Sequence, residues 1–397
     1  MAVPKIRFPG FTEDWEQRKL GDLADIVGGG TPSTSKGEYW DGDIDWYAPA
    51  EIADQIYVSS SQKKITRAGY DNSSAKMLPV GTVLFTSRAG IGKTAILAKK
   101  GCTNQGFQSI VPHEGQLDSY FIFSRTDELK KYGETTGAGS TFVEVSGKQM
   151  ARMELLMPPT ISEQREIGRF FASMDSTITL HQRKHESMKL LKKSLLQKML
   201  PKSGETVPEV RFPGFTDAWE QRKFEDVFEE YSEKNHEELP PLTIIQGQGT
   251  IRRDESDRAL QYDKSSLHNY KMVNVGDFIL HLRSFEGGLE VAKQQGIISP
   301  AYHTFHGKES DSRFYYPFFR SYQFINVLLK PHVFGIRDGK SIDVEGMKKI
   351  EIPYPSYEEQ KQLGDFFDQL DKTITLHQRK VEILHKLKKS LLQQMFV

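Results

Sequence analysis

The sequence contains one cysteine, Cys102, in 397 residues, so no disulfide can close within the chain and nothing points to an oxidising compartment. It also lacks any apolar run of about 18 residues, the shortest that spans a bilayer as a helix, and its mean hydropathy is −0.53; no membrane association is expected. The opening MAVPKIRFPGF has no apolar stretch of the secretory type, which adds to the expectation of a cytoplasmic setting. An excess of one charge is missing too. Lysine plus arginine and aspartate plus glutamate each number 53, so a basic surface for nucleic acid, if there is one, must be local.

Catalytic signatures are equally absent. No paired-cysteine or HExxH metal spacing occurs, and no nucleophile elbow. GIGKT at 90–94 falls short of a phosphate-binding loop, because GxxxxGK[ST] requires glycine where Ser87 stands. SPAY at 299–302 is not the Asn/Asp-Pro-Pro-aromatic signature of amino methyltransferases, and Gly28–Gly30 open no GxGxxG helix. The reading is therefore of a non-catalytic chain with no metal or cofactor of its own.

What the chain does have is an internal duplication. RFPGFTEDWEQRK at 7–19 returns as RFPGFTDAWEQRK at 211–223, so that Trp15 corresponds to Trp219. TITLHQRK at 177–184 returns at 373–380, and KKSLLQ at 192–197 returns at 388–393. Between these landmarks the likeness fades to a trace: VGTVLFTSRAGIG from Val80 aligns with VGDFILHLRSFEG from Val275, pairing Gly81 with Gly276, Arg88 with Arg283 and Gly92 with Gly287. An opening segment, a variable globular domain and a long helix thus occur twice. Near-identical helices joined to divergent domains imply one shared mechanical task and two different binding tasks.

Both helices follow prolines, Pro158–Pro159 in one case and Pro353 and Pro355 in the other, with Ser162 expected as the first cap. Alternating steps of four and three trace Ile167, Phe171, Met174, Ile178, His181, His185, Met188, Lys192, Leu195 and Met199 along the first. The second gives Leu363, Phe367, Leu370, Ile374, His377, Val381, Leu384, Lys388, Leu391 and Met395. A seam sustained this long predicts a coiled coil, most simply antiparallel. A helix of roughly 38 residues reaches about 57 Å, too far to lie inside one domain. His181 and His377 read as polar residues that fix register, and Lys192 and Lys388 as side chains extending from the seam edge to solvent. The solvent side is basic: 177–202 carries Arg183, Lys184, Lys189, Lys192, Lys193, Lys198 and Lys202 against Glu186 alone.

The domains alternate short apolar runs, such as VLFTS at 83–87 and DFILHL at 277–282, with Gly/Ser/Thr loops that carry Lys, Arg and Gln. Such loops can set a cationic fork, an amide or a hydroxyl against base edges and phosphates. The candidates in the first domain are Lys36, Tyr39, Lys63, Lys64, Arg67, Arg88, Lys93, Thr94, Gln105, Ser140 and Thr141. In the second they are Gln246, Gln248, Arg252, Arg253, Arg283, His303, Arg337 and Lys340.

The RFPGFTEDWEQRKLGDLADIVGGGTPS opening, the MPPTISEQREIGRFF helix start and the TITLHQRK…KKSLLQ helices resemble the DNA specificity subunit of type I restriction-modification enzymes. The resemblance implies an α+β architecture: two tandem globular target recognition domains (1–157 and 203–352) with a central spacer helix (158–202) and a C-terminal spacer helix (353–397). These helices would form an antiparallel coiled coil with pseudo-twofold symmetry. It further implies that each domain reads half of a bipartite target on double-stranded DNA. Two modification (methyltransferase) subunits would supply S-adenosylmethionine chemistry, and restriction (translocase/endonuclease) subunits would use ATP and Mg²⁺. The alternative from the residues alone is a coiled-coil scaffold whose two domains bind proteins or other ligands.

Overall fold

Two short strands of identical sequence open the two halves. β1 (Glu16–Lys19) and β11 (Glu220–Lys223) both read EQRK. Each pairs antiparallel with the strand that precedes a long helix: β1 with β10 (Glu154–Met157), and β11 with β22 (Glu351–Tyr354). This computed structural model describes residues 3–52, 55–88, 90–137, 144–202, 204–256, 264–281, 288–335 and 341–396. The chain forms two compact units, residues 1–182 with 379–397 and residues 183–378. Each unit takes in part of both long helices.

In the first unit a five-stranded sheet has the order β2-β9-β6-β7-β4, with β2 Ala24–Gly28, β4 Tyr57–Val58, β6 Val83–Phe85, β7 Thr94–Leu97 and β9 Gln108–Pro112. A second sheet, β5-β3-β8, is made from β3 (Trp40–Tyr47), β5 (Lys63–Ile65) and β8 (Cys102–Thr103). In the second unit the main sheet runs β12-β19-β16-β17, with β12 Phe228–Tyr231, β16 Phe278–Leu280, β17 Glu290–Val291 and β19 His303–Gly307. This repeats β2-β9-β6-β7, and the register agrees: Val83 faces Ile96 as Phe278 faces Val291. The additions differ. Here they are a hairpin of β13 (Leu242–Ile245) and β14 (Gly249–Arg252), a pair of β15 (Lys271–Val273) and β18 (Gly296–Ile298), and a pair of β20 (Val333–Phe334) and β21 (Ser341–Ile342).

The long helices cover Ile161–Met199 and Tyr357–Met395, 39 residues each. The first helix is capped by Thr160, two residues before the expected Ser162: the Thr160 hydroxyl accepts from the Glu163 amide at 3.4 Å, as Ser356 does from Glu359. Every position of both predicted seams is buried or half-buried. Within the first unit Lys388 Nζ donates to both carboxylate oxygens of Asp175 at 2.6 Å, and Gln182 faces His385. Within the second, Lys192 Nζ reaches Asp371 at 2.6 and 2.7 Å, and His185 contacts the Ile374 carbonyl. Partner numbers fall as residue numbers rise, so the helices run antiparallel. Lys192 and Lys388 do not end in water as expected; each closes an ion pair across the seam, and the two pairs occupy equivalent repeat positions.

Helix, opening segment and sheet share one core in each unit. Trp15, Phe121, Phe171, Met174 and Met395 pack together in the first, and Met199, Trp219, Phe314, Leu363 and Phe367 in the second. A buried carboxylate locks the joint. Arg7 Nε and Nη2 donate to Glu163 at 2.6 and 2.8 Å, and the Trp15 indole N–H adds a third bond at 3.2 Å. Arg211, Trp219 and Glu359 repeat it at 2.6, 2.7 and 3.0 Å. The bond to the carboxylate raises the pKa of each arginine further. These residue types are the ones that fill the repeated RFPGFT…W motif.

Candidate nucleic-acid interface

Strand direction places the candidate loops. In the first unit β2 ends at Gly28, β9 begins at Gln108, β6 ends at Phe85 and β7 begins at Thr94; because neighbours are antiparallel, all four points lie at one end of the sheet. The loops 29–36, 104–107 and 86–93 therefore form one rim. Gly30 N bonds Thr103 O at 2.9 Å, and Ser87 N bonds Gly106 O at 2.8 Å, tying the three together. Gly29 approaches the Thr103–Asn104 carbonyls so closely that a β-carbon would overlap them, which explains a glycine run at this point.

This rim collects Lys36, Arg88, Lys93 and Gln105. Lys93 and Gln105 are exposed, and the Gln105 side-chain oxygen accepts from the Thr31 hydroxyl. Arg88 pairs with Glu144 at 2.9 Å, a contact that sequence reasoning missed. Lys36 Nζ donates to the Tyr39 hydroxyl at 3.0 Å, which raises the lysine pKa. On the adjoining β5 strand Lys63 sits 6.0 Å from the Trp40 ring, and in the short helix that follows it Arg67 pairs with Asp71 at 2.9 Å.

Three candidates make contacts within the domain. Tyr39 is 8% exposed, so its ring belongs to the interior. Thr94 is 9% exposed and shares a 2.6 Å hydrogen bond with Thr126. Lys64 reaches the buried Asp45 at 3.4 Å. Burial works to raise the Asp45 pKa, but the Ser61 amide and Lys64 outweigh it and hold it below its ordinary value. Nothing in residue type or local spacing marks Tyr39 and Thr94 as interior.

In the second unit the equivalent end holds the start of β19, the start of β17 and the β13–β14 hairpin. Gln246 and Gln248 are exposed at its tip. Arg252 is held by Asp254 at 2.8 Å, and Arg253 lies 5.8 Å from the Tyr270 ring. His303 Nδ1 meets Glu230 at 2.6 Å, and Lys348 meets the same carboxylate at 2.6 Å. Burial pushes the Glu230 pKa up, but these two hydrogen bonds win and lower it. Burial also lowers the pKa of nearby Lys271. Glu230, Lys271 and Lys348 were not anticipated, since only the pairing of β12 with β19 brings Glu230 to His303. Ser140, Thr141, Arg283, Arg337 and Lys340 lie outside the described residues.

Among the described residues no group of three or more His, Cys, Asp or Glu side chains could hold a metal ion, and no helix is long and apolar enough to cross a membrane. Each unit thus presents a rim of amides, hydroxyls and cations at one end of a sheet, backed by the same joint between domain and helix. The family signature of the type I restriction modification DNA specificity domain matches residues 12–190 and 258–386, and the chain belongs to this family.

Among curated proteins the chain is similar to the type I restriction enzyme MjaIX specificity subunit of Methanocaldococcus jannaschii, 35% identical over 177 residues, 44% of this chain and 41% of that protein's length. It is also similar to the MjaVIII specificity subunit of the same organism, 22% identical over 96% of this chain and 91% of that protein. The crystal structure of the type I restriction-modification S subunit from M. genitalium shares the fold, with a TM-score of 0.61 and 13% identity, covering 100% of this chain and 99% of that one.

Proposed function

We infer that this chain is the specificity subunit of a type I restriction-modification complex, in which each unit reads one half of a bipartite site on double-stranded DNA. The long helices would set the spacing of the halves and dock two modification subunits. Methylation with S-adenosylmethionine would belong to those partners, and ATP- and Mg²⁺-dependent translocation and cleavage to restriction subunits; this chain would catalyse neither. A location in the cytoplasm, beside the DNA, follows from the same reading.

The observation that carries this reading is that one scaffold, β2-β9-β6-β7 and β12-β19-β16-β17 on identical joints, supports two different sets of accessory strands. A binding task that was the same twice would leave no reason for the rims to differ while the joints stay alike. Phosphate contacts from rim cations would supply affinity that falls with salt, and base-edge contacts the discrimination. Helices of 39 residues reach about 58 Å at 1.5 Å per residue, enough for half-sites one helical turn apart, about 34–36 Å.

The test exchanges residues 20–155 for those of another family member and maps methylated sites in a host that also makes the modification partner. One half of the recognised sequence changes and the other stays. Change in both halves, or in neither, overturns the two-reader account.

A further inference from the structure

A buried carboxylate stands in the second unit where the repeated scaffold does not need one. Glu290 on β17 faces Ile279, and the matching position in the first unit is Ala95, which faces Leu84. Ala95 is fully buried in an apolar cluster, so the scaffold is satisfied by a methyl group. Glu290 is 3% exposed, and burying a charge is costly unless it is fully paired.

All its partners are in place. Oε1 accepts from the Gly247 amide at 2.8 Å and from Arg320 Nη1 at 2.6 Å; Oε2 accepts from the Gly249 amide at 3.1 Å and from the Tyr316 hydroxyl at 2.7 Å. Two of the four donors are backbone amides of the β13–β14 turn, the accessory element that the first unit lacks. Charge-assisted bonds of this kind are about twice as strong as neutral ones. Gly249 has φ +80, and a β-carbon there would meet the Val291 carbonyl at 2.6 Å, so the turn is seated directly on β17. At the other end of the hairpin, Leu242 packs in the small core with Val273 and Ile298. The ribbon is clamped at both ends, and between the clamped glycines stands Gln248, with Gln246 beside them, both exposed.

We propose that the β13–β14 ribbon is the base-reading element of the second unit, that Gln246 and Gln248 read an A·T pair, and that Glu290 is the positioning residue that fixes them. The proposal rests on the DNA-reading function inferred above. A two-stranded ribbon fits the major groove, and a glutamine amide offers the donor and acceptor that match adenine N7 and N6. Recognition through two hydrogen bonds requires the turn to be held rigidly. Glu290 acts through the Gly247 and Gly249 amides and touches no base.

The test uses the full chain in complex with its modification subunits and a duplex library with randomised bases, selected by mobility shift and sequenced. Wild type selects adenine at one or two positions of one half-site. Gln246→Ala with Gln248→Ala relaxes those positions by roughly 5- to 150-fold, and Glu290→Ala relaxes the same positions while the other half-site keeps its full preference. A general loss of stability would weaken binding without singling out those base pairs. Should Glu290→Ala not fold, Glu290→Leu with Arg320→Met removes both charges together and still frees the turn. If the glutamine variant leaves base preference intact, or the Glu290 variants relax other positions or none, the proposal falls while the two-reader function stands on the surviving half-sites. A wild-type complex that selects no sequence overturns both.

Discussion

Glu163 and Glu359 show how a single side chain can be both joint and signature. Each is buried, each takes two bonds from an arginine eight residues before a tryptophan, and each takes a third from that tryptophan. Removing one partner of such a pair leaves the other charge buried and uncompensated, at a cost of about 3–5 kcal/mol. Glu163→Ala should therefore destabilise the first unit by about that amount and leave the second unchanged, with Glu359→Ala doing the reverse. Urea unfolding followed by hydrogen exchange resolves the two. The repeat made the arginine and tryptophan legible as landmarks. It did not reveal that the glutamate after the PPT turn was their partner, because 148 residues separate Glu163 from Trp15.

At the scale of elements, the helices were the most readable part and the sheets the least. A four-three step marks a buried face by period alone, and all twenty seam positions from Ile167 to Met395 are at least half-buried. The described strands other than β3 have two to five residues, too few to show such a period, and their order is set by contacts distant in sequence. Hence the rim loops were recognised by composition, while their assembly at one sheet end was not, nor was the interior placement of Tyr39 and Thr94. The helix pair itself makes a graded prediction. Asp175, 9% exposed in its side chain, is paired with Lys388, whereas Asp371, paired with Lys192, is 51% exposed. A double-mutant cycle on Asp175 and Lys388 should give a coupling of about 1–3 kcal/mol. The cycle on Asp371 and Lys192 should stay below about 1 kcal/mol, since solvent screens it. Chemical denaturation of the single and double variants supplies both values, and equal couplings would contradict the difference in burial.

At the scale of the molecule, sequence neighbourhood is a poor guide to which parts depend on each other. Residues 379–397 belong to the unit built from residues 1–182; there Leu391, Met395 and Phe396 pack against the core that contains Trp15 and Phe121, and Arg125 lies 5.4 Å from the Phe396 ring. Deleting residues 386–397 should therefore expose the first unit to protease and speed its amide exchange, including the opening segment, while the sheet of the second unit keeps its protection. Limited proteolysis with mass spectrometry reads this directly, and loss of protection in residues 220–354 instead would contradict it.

The same interleaving dictates an order of birth. The ribosome finishes residue 182 and must then make the whole of the other unit before the segment that completes the first one leaves the tunnel, a wait of roughly 10–40 s at 5–20 residues per second. The earliest-made half of this protein is the last to be closed, and until then its unsealed apolar surface is a natural client for chaperones.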